Sequence, residues 1–447
     1  MEFKTRLLEI EAGGNLIVVI GARDAERLGV ISSDRVRLDT GESEVVAILN
    51  IATEFPEGVL GVYEEVRSRL GLREGDDVEV SLAERPDSLT FIREKILGEK
   101  LTAGNIGMIV DDVVERHLSD IELAAFVTAL QINGMSMEEV EALSRAMVRA
   151  GRTIDFGKGP ILDKHSIGGL PGDKTTLLVI PIVAAAGYTI PKSSSRAITS
   201  PAGTADRVEV LCPVDLRIEE IIEVVGKVNA CLVWGGALDL APADDLFIRV
   251  EYPLSIDPLM LPSILSKKKA MGSSHVVIDI PTGRGAKIKT VGQAQLLARD
   301  FIELGGRLGM NVECAVTEGE QPIGLAVGPV PEAREALGAI MGKGPPDLVD
   351  KATSLAGMLL GMMGEENGKE RATQLLLSGK AEEKLRQIIE AQGGDPEVKP
   401  EDLPLGDRWV DVEAERSGRI LWINNRSIAR IAREAGAPSD RGAGLVL

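Results

Sequence analysis

The sequence predicts an α/β fold with an all-helical domain, an N-terminal β-rich domain and a truncated C-terminal β-rich lobe. Three patterns predict this organisation. Val, Ile and Leu alternate with charged residues over residues 1–84, which is typical of strands. Apolar residues recur at helical spacing over residues 85–158. Strands alternate with helices over residues 159–400, which indicates a mostly parallel mixed sheet flanked by helices.

The first region contains two copies of one pattern. "LGVISSDRVRL" and "LGLREGDDVEV" each place Leu-Gly a few residues before an acidic residue and an alternating β stretch. The stretches "NLIVVIG" and "SEVVAIL" supply further strands between turns. We therefore expect residues 1–84 to form a small barrel-like β domain.

Helix caps support the prediction of a helical domain over residues 85–158, and a change of pattern near residue 401 predicts a further region. Ser or Thr before acidic residues marks helix starts within residues 85–158, and we expect residues 242–274 to return to this helical domain. Residues 401–447 begin a new β pattern that stops abruptly. We therefore expect an incomplete C-terminal β-rich lobe there.

Three strands of the α/β region run into polar loops. They are "GPILDKHS", "YTIPKSSS" and "HVVIDIPTGRG". Ligands of parallel sheets bind at the carboxyl ends of the strands. We therefore expect these three loops to form one ligand site.

Composition excludes several classes of function. The 50 basic and 69 acidic residues give a formal net charge of −19, which disfavours binding of nucleic acid or a membrane by the whole surface. Aromatic residues are only 3%, too few for a base-stacking platform. No long apolar run is present, so neither a membrane span nor a signal peptide is expected. Three dispersed cysteines indicate buried thiols in a reducing cytoplasm, and three dispersed histidines predict no metal site.

The first loop, "KHSIGGLPGDKTT", suits an anion. Its glycines let backbone N–H groups converge, and the helix that follows directs its N-terminus at the same place. Lys164 adds a positive charge. A nucleotide P-loop requires Gly immediately before Lys-Ser/Thr, but here Lys174 follows Asp173, which disfavours that reading. A structural glycine turn remains the alternative.

The second loop favours a ligand site over a purely structural glycine turn. "SSSRAITSPAGTAD", residues 193–206, carries six Ser or Thr residues and one Arg after a predicted strand. Two anion-suited loops on neighbouring strands predict one phosphate held from both sides.

These loops resemble those of the thymidine phosphorylase family of nucleoside phosphorylases. The first loop is similar to that family's Lys-His-Ser-x-Gly-Gly motif, and "LPSILSKKKAMG" resembles its Ser-Ile-Leu-Ser-Lys-Lys helix. The resemblance covers about residues 88–447. Within the family, "SRAITS", "PLSID", "GRGAK" and the extra β domain resemble an archaeal branch that acts on nucleoside 5′-monophosphates.

The resemblance implies an activity and a set of site residues. It implies phosphorolysis of AMP, and of CMP and UMP, to free base and ribose 1,5-bisphosphate, with phosphate as co-substrate and no cofactor. Residues that match phosphate ligands of the family are Lys164, Ser166, Thr176, Ser194 and Thr204. Residues that match nucleotide-binding positions are Gly169, Ser195, Arg196, Ala197, Ile198, Thr199, Ser200, Thr204, Ser263 and Lys287, and the pyrimidine-binding pair matches Arg249 and Lys267.

Two residues are expected to take part in the chemistry. Asp257 matches the proton donor of the branch, and a carboxyl kept protonated in a dry pocket could protonate a departing purine. Its alternative role is a helix N-cap. The segment from Asp257 to Ser263 reads "DPLMLPS", about two residues shorter than the pattern of the branch. His165, if neutral, could hydrogen-bond the sugar or the base, and its alternative is a purely structural histidine.

Further cations suggest that the substrate carries a second phosphate. Arg196, Arg284 and Lys287 are candidates to hold a 5′-phosphate, because a buried cation without an anion is costly.

Three alternatives and the state of assembly remain open at this stage. The first is a pyrimidine nucleoside phosphorylase, and the second is an anthranilate-type phosphoribosyltransferase, which usually carries Gly-Thr-Gly-Gly-Asp and acidic metal ligands that we do not find. The third is a non-catalytic scaffold or regulator that merely binds nucleotide. The resemblance also implies a homodimeric core that assembles further through the N-terminal domain.

Overall fold

A computed structural model of the chain describes residues 1–197 and 200–447. The predicted nucleotide-binding residues Ile198 and Thr199 lie outside the described residues. The chain divides into two compact units. The first comprises Met1–Ala146 and Leu246–Pro258, and the second comprises Met147–Asp245 and Leu259–Leu447.

The first unit begins with a closed barrel of six strands in the order β1-β5-β2-β4-β3-β6. Its apolar core is formed by the inward side chains of these strands, which confirms the predicted β-rich region. The elements are β1 (Glu2–Leu7), β2 (Ile17–Gly21), α1 (Ala22–Leu28), β3 (Arg35–Asp39), β4 (Glu44–Ala52), β5 (Val59–Val62), α2 (Glu64–Leu70) and β6 (Asp77–Leu82).

The two sequence copies form the same local structure. Each Leu-Gly ends a short helix, with Gly29 and Gly71 as left-handed C-caps of α1 and α2. In each loop that follows, an aspartate accepts a hydrogen bond from a backbone N–H three residues earlier, at 2.8 Å for Asp34 and 2.7 Å for Asp76. The strands that follow, β3 and β6, pair with each other.

A helical bundle follows the barrel. Its helices are α3 (Ser88–Ile96), α4 (Ala103–Val114), α5 (Asp120–Asn133) and α6 (Met137–Ala150). Capping boxes begin α4 at Thr102 and α5 at Ser119, as expected for Ser or Thr at helix starts. Residues 246–258 belong to this unit, whereas the prediction returned all of residues 242–274 to the helical domain.

The second unit is an α/β structure. Its elements are β7 (Leu162–Ser166), α7 (Thr176–Ala185), β8 (Ile190–Ser194), α8 (Thr204–Glu209), α9 (Ile218–Val228), β9 (Ala230–Trp234), α10 (Pro242–Leu254, which extends into the first unit), α11 (Met260–Ala270), β10 (His275–Thr282), α12 (Val291–Arg307), β11 (Asn311–Glu318), β12 (Ala326–Val327), α13 (Pro329–Gly338), α14 (Pro346–Met362), α15 (Gly368–Leu377), α16 (Lys380–Ala391), α17 (Asn425–Glu434) and β13 (Leu445–Val446).

A parallel sheet organises this unit and its loops. The order β11-β10-β7 continues through a parallel bridge between Ile161 and Thr189 into the parallel pair β8-β9. Helix α7 is apolar on all sides and is buried in the main core. Strands β7, β8 and β10 each end where a polar loop begins, so the predicted α/β fold is confirmed and the three loops start at strand ends.

The expected C-terminal β-rich lobe is not present in this form. Over residues 401–447 the structure contains a 3₁₀ turn, α17 and the two-residue strand β13, which pairs with β12. The alternating stretch that suggested strands includes Trp409, Val410 and Val412, which are all more than 80% exposed. Alternation alone does not form a strand when no neighbouring strand is available to share its backbone hydrogen bonds.

Candidate active site

Lys164 is a buried cation at the end of β7. Its side chain is 1% exposed, and Nζ donates to Thr175 Oγ1 at 2.9 Å and to Thr176 Oγ1 at 3.5 Å. No ion pair of Lys164 with a carboxylate is present within the described part of the chain. Both hydroxyls lie at the start of α7. A buried ammonium held only by neutral hydroxyls beside a helix N-terminus provides an environment that favours an anion.

Asp173 anchors the other end of the first loop. Its Oδ1 accepts from Thr175 Oγ1 at 2.6 Å, and its Oδ2 lies 3.5 Å from Lys351 Nζ. Lys351 also pairs with the buried Asp279 at 2.9 Å. Burial alone would raise the pKa of Asp173, but the ammoniums of Lys351 and Lys164 lower it below its usual range. Asp173 is therefore ionised and fixed.

Lys174 does not face the loop, in keeping with the argument against a P-loop. Its fully buried Nζ donates to the carbonyls of Ile323 at 3.2 Å and Ala326 at 3.1 Å and pairs with Glu335. This lysine joins the loop to the segment before α13.

A second group of buried charges lies beside His165. Asp163 is fully buried and pairs with Lys192 at 3.3 Å through Oδ1 and with Lys268 at 2.6 Å through Oδ2. Burial lowers the pKa of Lys192 to about 7, an effect that Lys268 and Lys164 increase and Asp163 opposes. Burial, together with the charges of Lys192 and Lys268, also lowers the pKa of His165 well below its ordinary value. The imidazole is therefore neutral at neutral pH, as its predicted role requires.

The second loop is built around Asp206 and the start of α8. Asp206 Oδ2 accepts from the backbone N–H groups of Ala197 and Gly203, both at 2.7 Å. Ser194 Oγ donates to the Val233 carbonyl at 3.2 Å, and Thr204 Oγ1 accepts from Arg207 at 3.4 Å. The remaining predicted positions, Ser195 and Ser200, are exposed in this loop.

Arg196 is not available as a free cation for a second phosphate. Its guanidinium makes two 2.7 Å hydrogen bonds to Glu209 and lies 4.8 Å from the ring centre of Trp234. Bidentate pairing of this kind satisfies the guanidinium within the protein.

The first and third loops meet at Gly169 and Lys287. A Cβ placed on Gly169 would lie 2.9 Å from the Lys287 backbone nitrogen, so the two backbones pass in close contact. The structure therefore brings together two predicted nucleotide-binding positions that are far apart in sequence.

The sequence analysis expected the third-loop cations to be buried and therefore to need a bound anion, and the structure contradicts this burial. Lys287 and Arg284 are both exposed, and Arg284 pairs with Glu320 at 2.8 Å and stacks 4.7 Å from the ring centre of Trp422. The loop follows β10 onto the surface, where water solvates the charged ends of long side chains and no bound anion is required.

Ser263 and Lys267 converge on one carboxylate that the sequence analysis did not single out. Asp244, fully buried in the first turn of α10, accepts from Ser263 Oγ at 2.8 Å and pairs with Lys267 Nζ at 2.6 Å through the same oxygen, Oδ2. Ser263 and Lys267 lie four residues apart on α11 and thus share one face. Asp244 holds both in place.

Arg249 and Asp257 belong to the first unit. Arg249 is exposed and donates to the Gly13 carbonyl of the barrel at 2.7 Å, while its expected partner Lys267 belongs to the second unit. Asp257 is exposed in the loop between α10 and α11. The structure therefore does not place Asp257 in a dry pocket, and its role as proton donor stays a prediction.

The buried charged residues were the main omission of the sequence analysis. Asp163, Lys192, Lys268, Asp279 and Lys351 are all at most 9% exposed. Charged residues inside apolar strands, as in "ILDKHS" and "TIPKSSS", are the signal that would have found several of them, since such residues are rarely buried without partners.

The fold and the site together define a glycosyl transferase. Residues 89–151 match the model of the glycosyl transferase family, helical bundle domain, and residues 158–382 match that of the glycosyl transferase family, a/b domain. The fold is also that of anthranilate phosphoribosyltransferase from Thermus thermophilus, with a TM-score of 0.57 and 21% identity over 67% of this chain and 98% of that one. Among the described residues, no helix is both long and apolar enough to cross a membrane.

Curated relatives show to which family within the glycosyl transferases the chain belongs. An AMP phosphorylase from Thermofilum pendens is 53% identical over all of this chain and 87% of its own length. An AMP phosphorylase from Thermococcus kodakarensis is 52% identical over all of this chain and 90% of its own length. The chain belongs to the AMP phosphorylase family, which confirms the branch indicated by the sequence motifs.

Proposed function

We infer that the protein catalyses the phosphorolysis of AMP, with inorganic phosphate as co-substrate. The products would be adenine and ribose 1,5-bisphosphate, and CMP and UMP would serve as further substrates. The relatives that cover the whole chain bear the name of this activity. The observation that carries the proposal on the structural side is the buried Lys164 ammonium without a carboxylate partner in the described structure.

The first two loops support a site for the attacking phosphate. Lys164 supplies charge, Ser166 and Thr176 supply hydroxyls, and α7 directs its N-terminus towards the same place. Within the described part of the chain, Ser166 Oγ accepts one long hydrogen bond, 3.4 Å from the Gly168 N–H, so its own proton is available to a ligand. A phosphate held here would be positioned to attack C1′ of ribose, and positioning alone lowers a barrier by several kcal/mol.

The base would be bound by Ser263 and Lys267, with Asp244 fixing both. The neutral His165 imidazole has one nitrogen that donates and one that accepts, which suits a sugar hydroxyl or a base edge. Asp257 as proton donor remains a proposal. Asp257→Asn should lower kcat for AMP by ~10²-fold or more with a smaller change in KM; an unchanged kcat would exclude the role.

An assay with AMP and phosphate tests the proposal directly. Adenine should appear without pyrophosphate or magnesium, which an anthranilate-type phosphoribosyltransferase would use. AMP should react in preference to adenosine and thymidine, which a pyrimidine nucleoside phosphorylase would not show. Lys164→Met should raise the phosphate KM by ~10- to 100-fold, because charge-assisted hydrogen bonds of about 1.5–3 kcal/mol are lost. No adenine from the wild type, or an unchanged phosphate KM in the variant, would contradict the proposal.

The proposal also includes a cytoplasmic location and a quaternary structure. The protein would form a homodimer, and the barrel would join homodimers into a higher oligomer. The barrel and the helical bundle belong to one compact unit and are joined by ion pairs such as Arg35–Glu122 and Arg69–Glu115. Deleting residues 1–84 should reduce the oligomer measured by light scattering. An unchanged oligomer would exclude an assembly role for the barrel.

A further inference from the structure

The buried charges around the first loop do not balance. Four lysine ammoniums and three carboxylates form a cluster of two groups: Lys192 and Lys268 share Asp163, and Lys351 joins Asp173 and Asp279 into the second group. Lys164 joins it through the Thr175 hydroxyl, which donates to Asp173. The neighbouring buried ions Lys174 and Arg207 each have a carboxylate of their own, Glu335 and Glu332. One ammonium of the cluster is therefore in excess.

Of the two lysines that share Asp163, Lys192 has the weaker support. It lies 3.3 Å from Asp163, whereas Lys268 lies 2.6 Å from the same carboxylate, and Lys351 contacts two carboxylates. The groups that face Lys192 in the described structure are Asp163, Lys164 and His165 on β7, Lys268 on α11 and Cys231 on β9.

Of these facing groups, only Asp163 is an anion. The imidazole of His165 is neutral, and burial raises the pKa of the Cys231 thiol to about 12, so it is neutral as well. Losing the Lys192 proton would leave three ammoniums facing three carboxylates, and the pKa of about 7 agrees with this count.

We propose that Lys192 is a proton acceptor of the phosphate site, which takes up a proton from solvent onto Nζ when a doubly charged anion enters the first loop. This proposal rests on the proposed function, since it requires that the loop binds phosphate. The anion reverses the excess positive charge of the cluster, so the charged form of Lys192 becomes the favoured one. Affinity for a dianion and protonation of Lys192 are then thermodynamically linked, and affinity falls as the pH rises above the value at which the empty site loses its proton.

Sulfate is a suitable probe because it remains a dianion throughout the range in which Lys192 titrates, whereas phosphate changes its own charge there. Calorimetric titration in two buffers with different ionisation enthalpies measures the number of protons taken up. The wild type should take up most of a proton per site at pH 8 and little at pH 6, and the Kd for sulfate should rise by up to about tenfold per pH unit above about pH 7.

Two substitutions and a control separate this role from a structural one. Lys192→Met leaves Asp163 paired with Lys268, and it should bind sulfate weakly with no proton uptake and no pH dependence. Lys192→Arg keeps a permanent charge, so it should bind sulfate with a pH-independent affinity near that of the wild type at pH 6. Lys227→Met, which removes an exposed ion pair with Glu223 on α9, should behave like the wild type.

The possible results distinguish the two proposals. Sulfate binding by the wild type without proton uptake would overturn the role of Lys192 and leave the phosphate site intact. Proton uptake that persists in Lys192→Met would overturn it as well, because another group would then be titrating. Failure of both sulfate and phosphate to bind the wild type would overturn the phosphate site and, with it, the role of Lys192.

Discussion

Gly169 and Lys287 hold two loops of the candidate site in backbone contact. The Gly169 φ of +87° is one that side chains rarely adopt, and a Cβ there would lie 2.9 Å from Lys287 N and 3.1 Å from Lys287 Cγ. A distance this short to a backbone atom cannot be relieved by rotating a side chain. Position 169 therefore requires glycine for two reasons: its φ is unfavourable for other residues, and a side chain would occupy the space of the third loop.

Gly169→Ala should separate the first and third loops. We expect a loss of stability of about 1–2 kcal/mol from the backbone conformation and a fall of ~10-fold or more in kcat/KM for AMP. Gly168→Ala is the matched control, because its φ is +83° but a Cβ there meets none of the described residues within 4 Å. Denaturant unfolding and steady-state kinetics of both variants check the prediction. Equal losses of activity in the two would show that the contact with Lys287 is unimportant.

Asp244→Asn should affect AMP binding through Ser263 and Lys267. The substitution removes the charge that Lys267 pairs with at 2.6 Å, while the amide oxygen still accepts from Ser263. We expect the KM for AMP to rise ~3- to 10-fold with little change in the KM for phosphate. Asp245→Asn, on the same helix but exposed and 3.8 Å from Lys267, is the control and should change neither constant. A larger rise in the KM for phosphate than in the KM for AMP would contradict a role of Asp244 in AMP binding.

His165→Gln should lower the rate without changing the shape of the pH profile. Burial and the neighbouring lysine charges lower the pKa of His165 well below its ordinary value, so the imidazole is already neutral at neutral pH. A neutral amide therefore replaces a neutral ring. The measurement is kcat/KM for AMP at saturating phosphate between pH 5.5 and 8.5. An acidic limb near pH 6.5 in the wild type that disappears in the variant would show that His165 titrates during catalysis.

Patterns that depend on local geometry could be predicted from the sequence. The paired Leu-Gly motifs indicated one repeated pattern, and the two copies fold alike because Gly29 and Gly71 each supply the left-handed cap that a helix end needs. The strand that ends at Ser166 and the helix that begins at Thr176 followed from apolar runs beside a glycine loop.

Features that depend on which segments pack together could not be predicted in this way. The partner of a charged residue such as Lys192 lies on another strand, so the sequence gives no distance to it. Exposure of Lys287 and Asp257 depends on how their loops leave the fold, and a motif carries no information about that. The exposed alternating stretch near Trp409 shows the same limit, since a strand requires a neighbour as well as a pattern.

Lys287→Ala should distinguish a 5′-monophosphate substrate from a nucleoside. Lys287 is exposed, so a bound anion is not needed to offset its burial, and the expectation of a 5′-phosphate there comes from the match to the branch and from its contact with Gly169. If Lys287 contacts the 5′-phosphate, kcat/KM for AMP should fall ~10- to 100-fold while any turnover of adenosine stays the same, because adenosine lacks the group that is lost.

Arg284→Ala provides the control for this experiment within the same loop. Its guanidinium already pairs with Glu320 and stacks on Trp422, so its removal should change the preference for AMP over adenosine by less than about threefold. Both variants and the wild type are compared by kcat/KM on AMP and on adenosine at one phosphate concentration. Equal proportional losses on the two substrates for Lys287→Ala would exclude contact with the 5′-phosphate. A larger change of preference in Arg284→Ala than in Lys287→Ala would assign that contact to Arg284 instead.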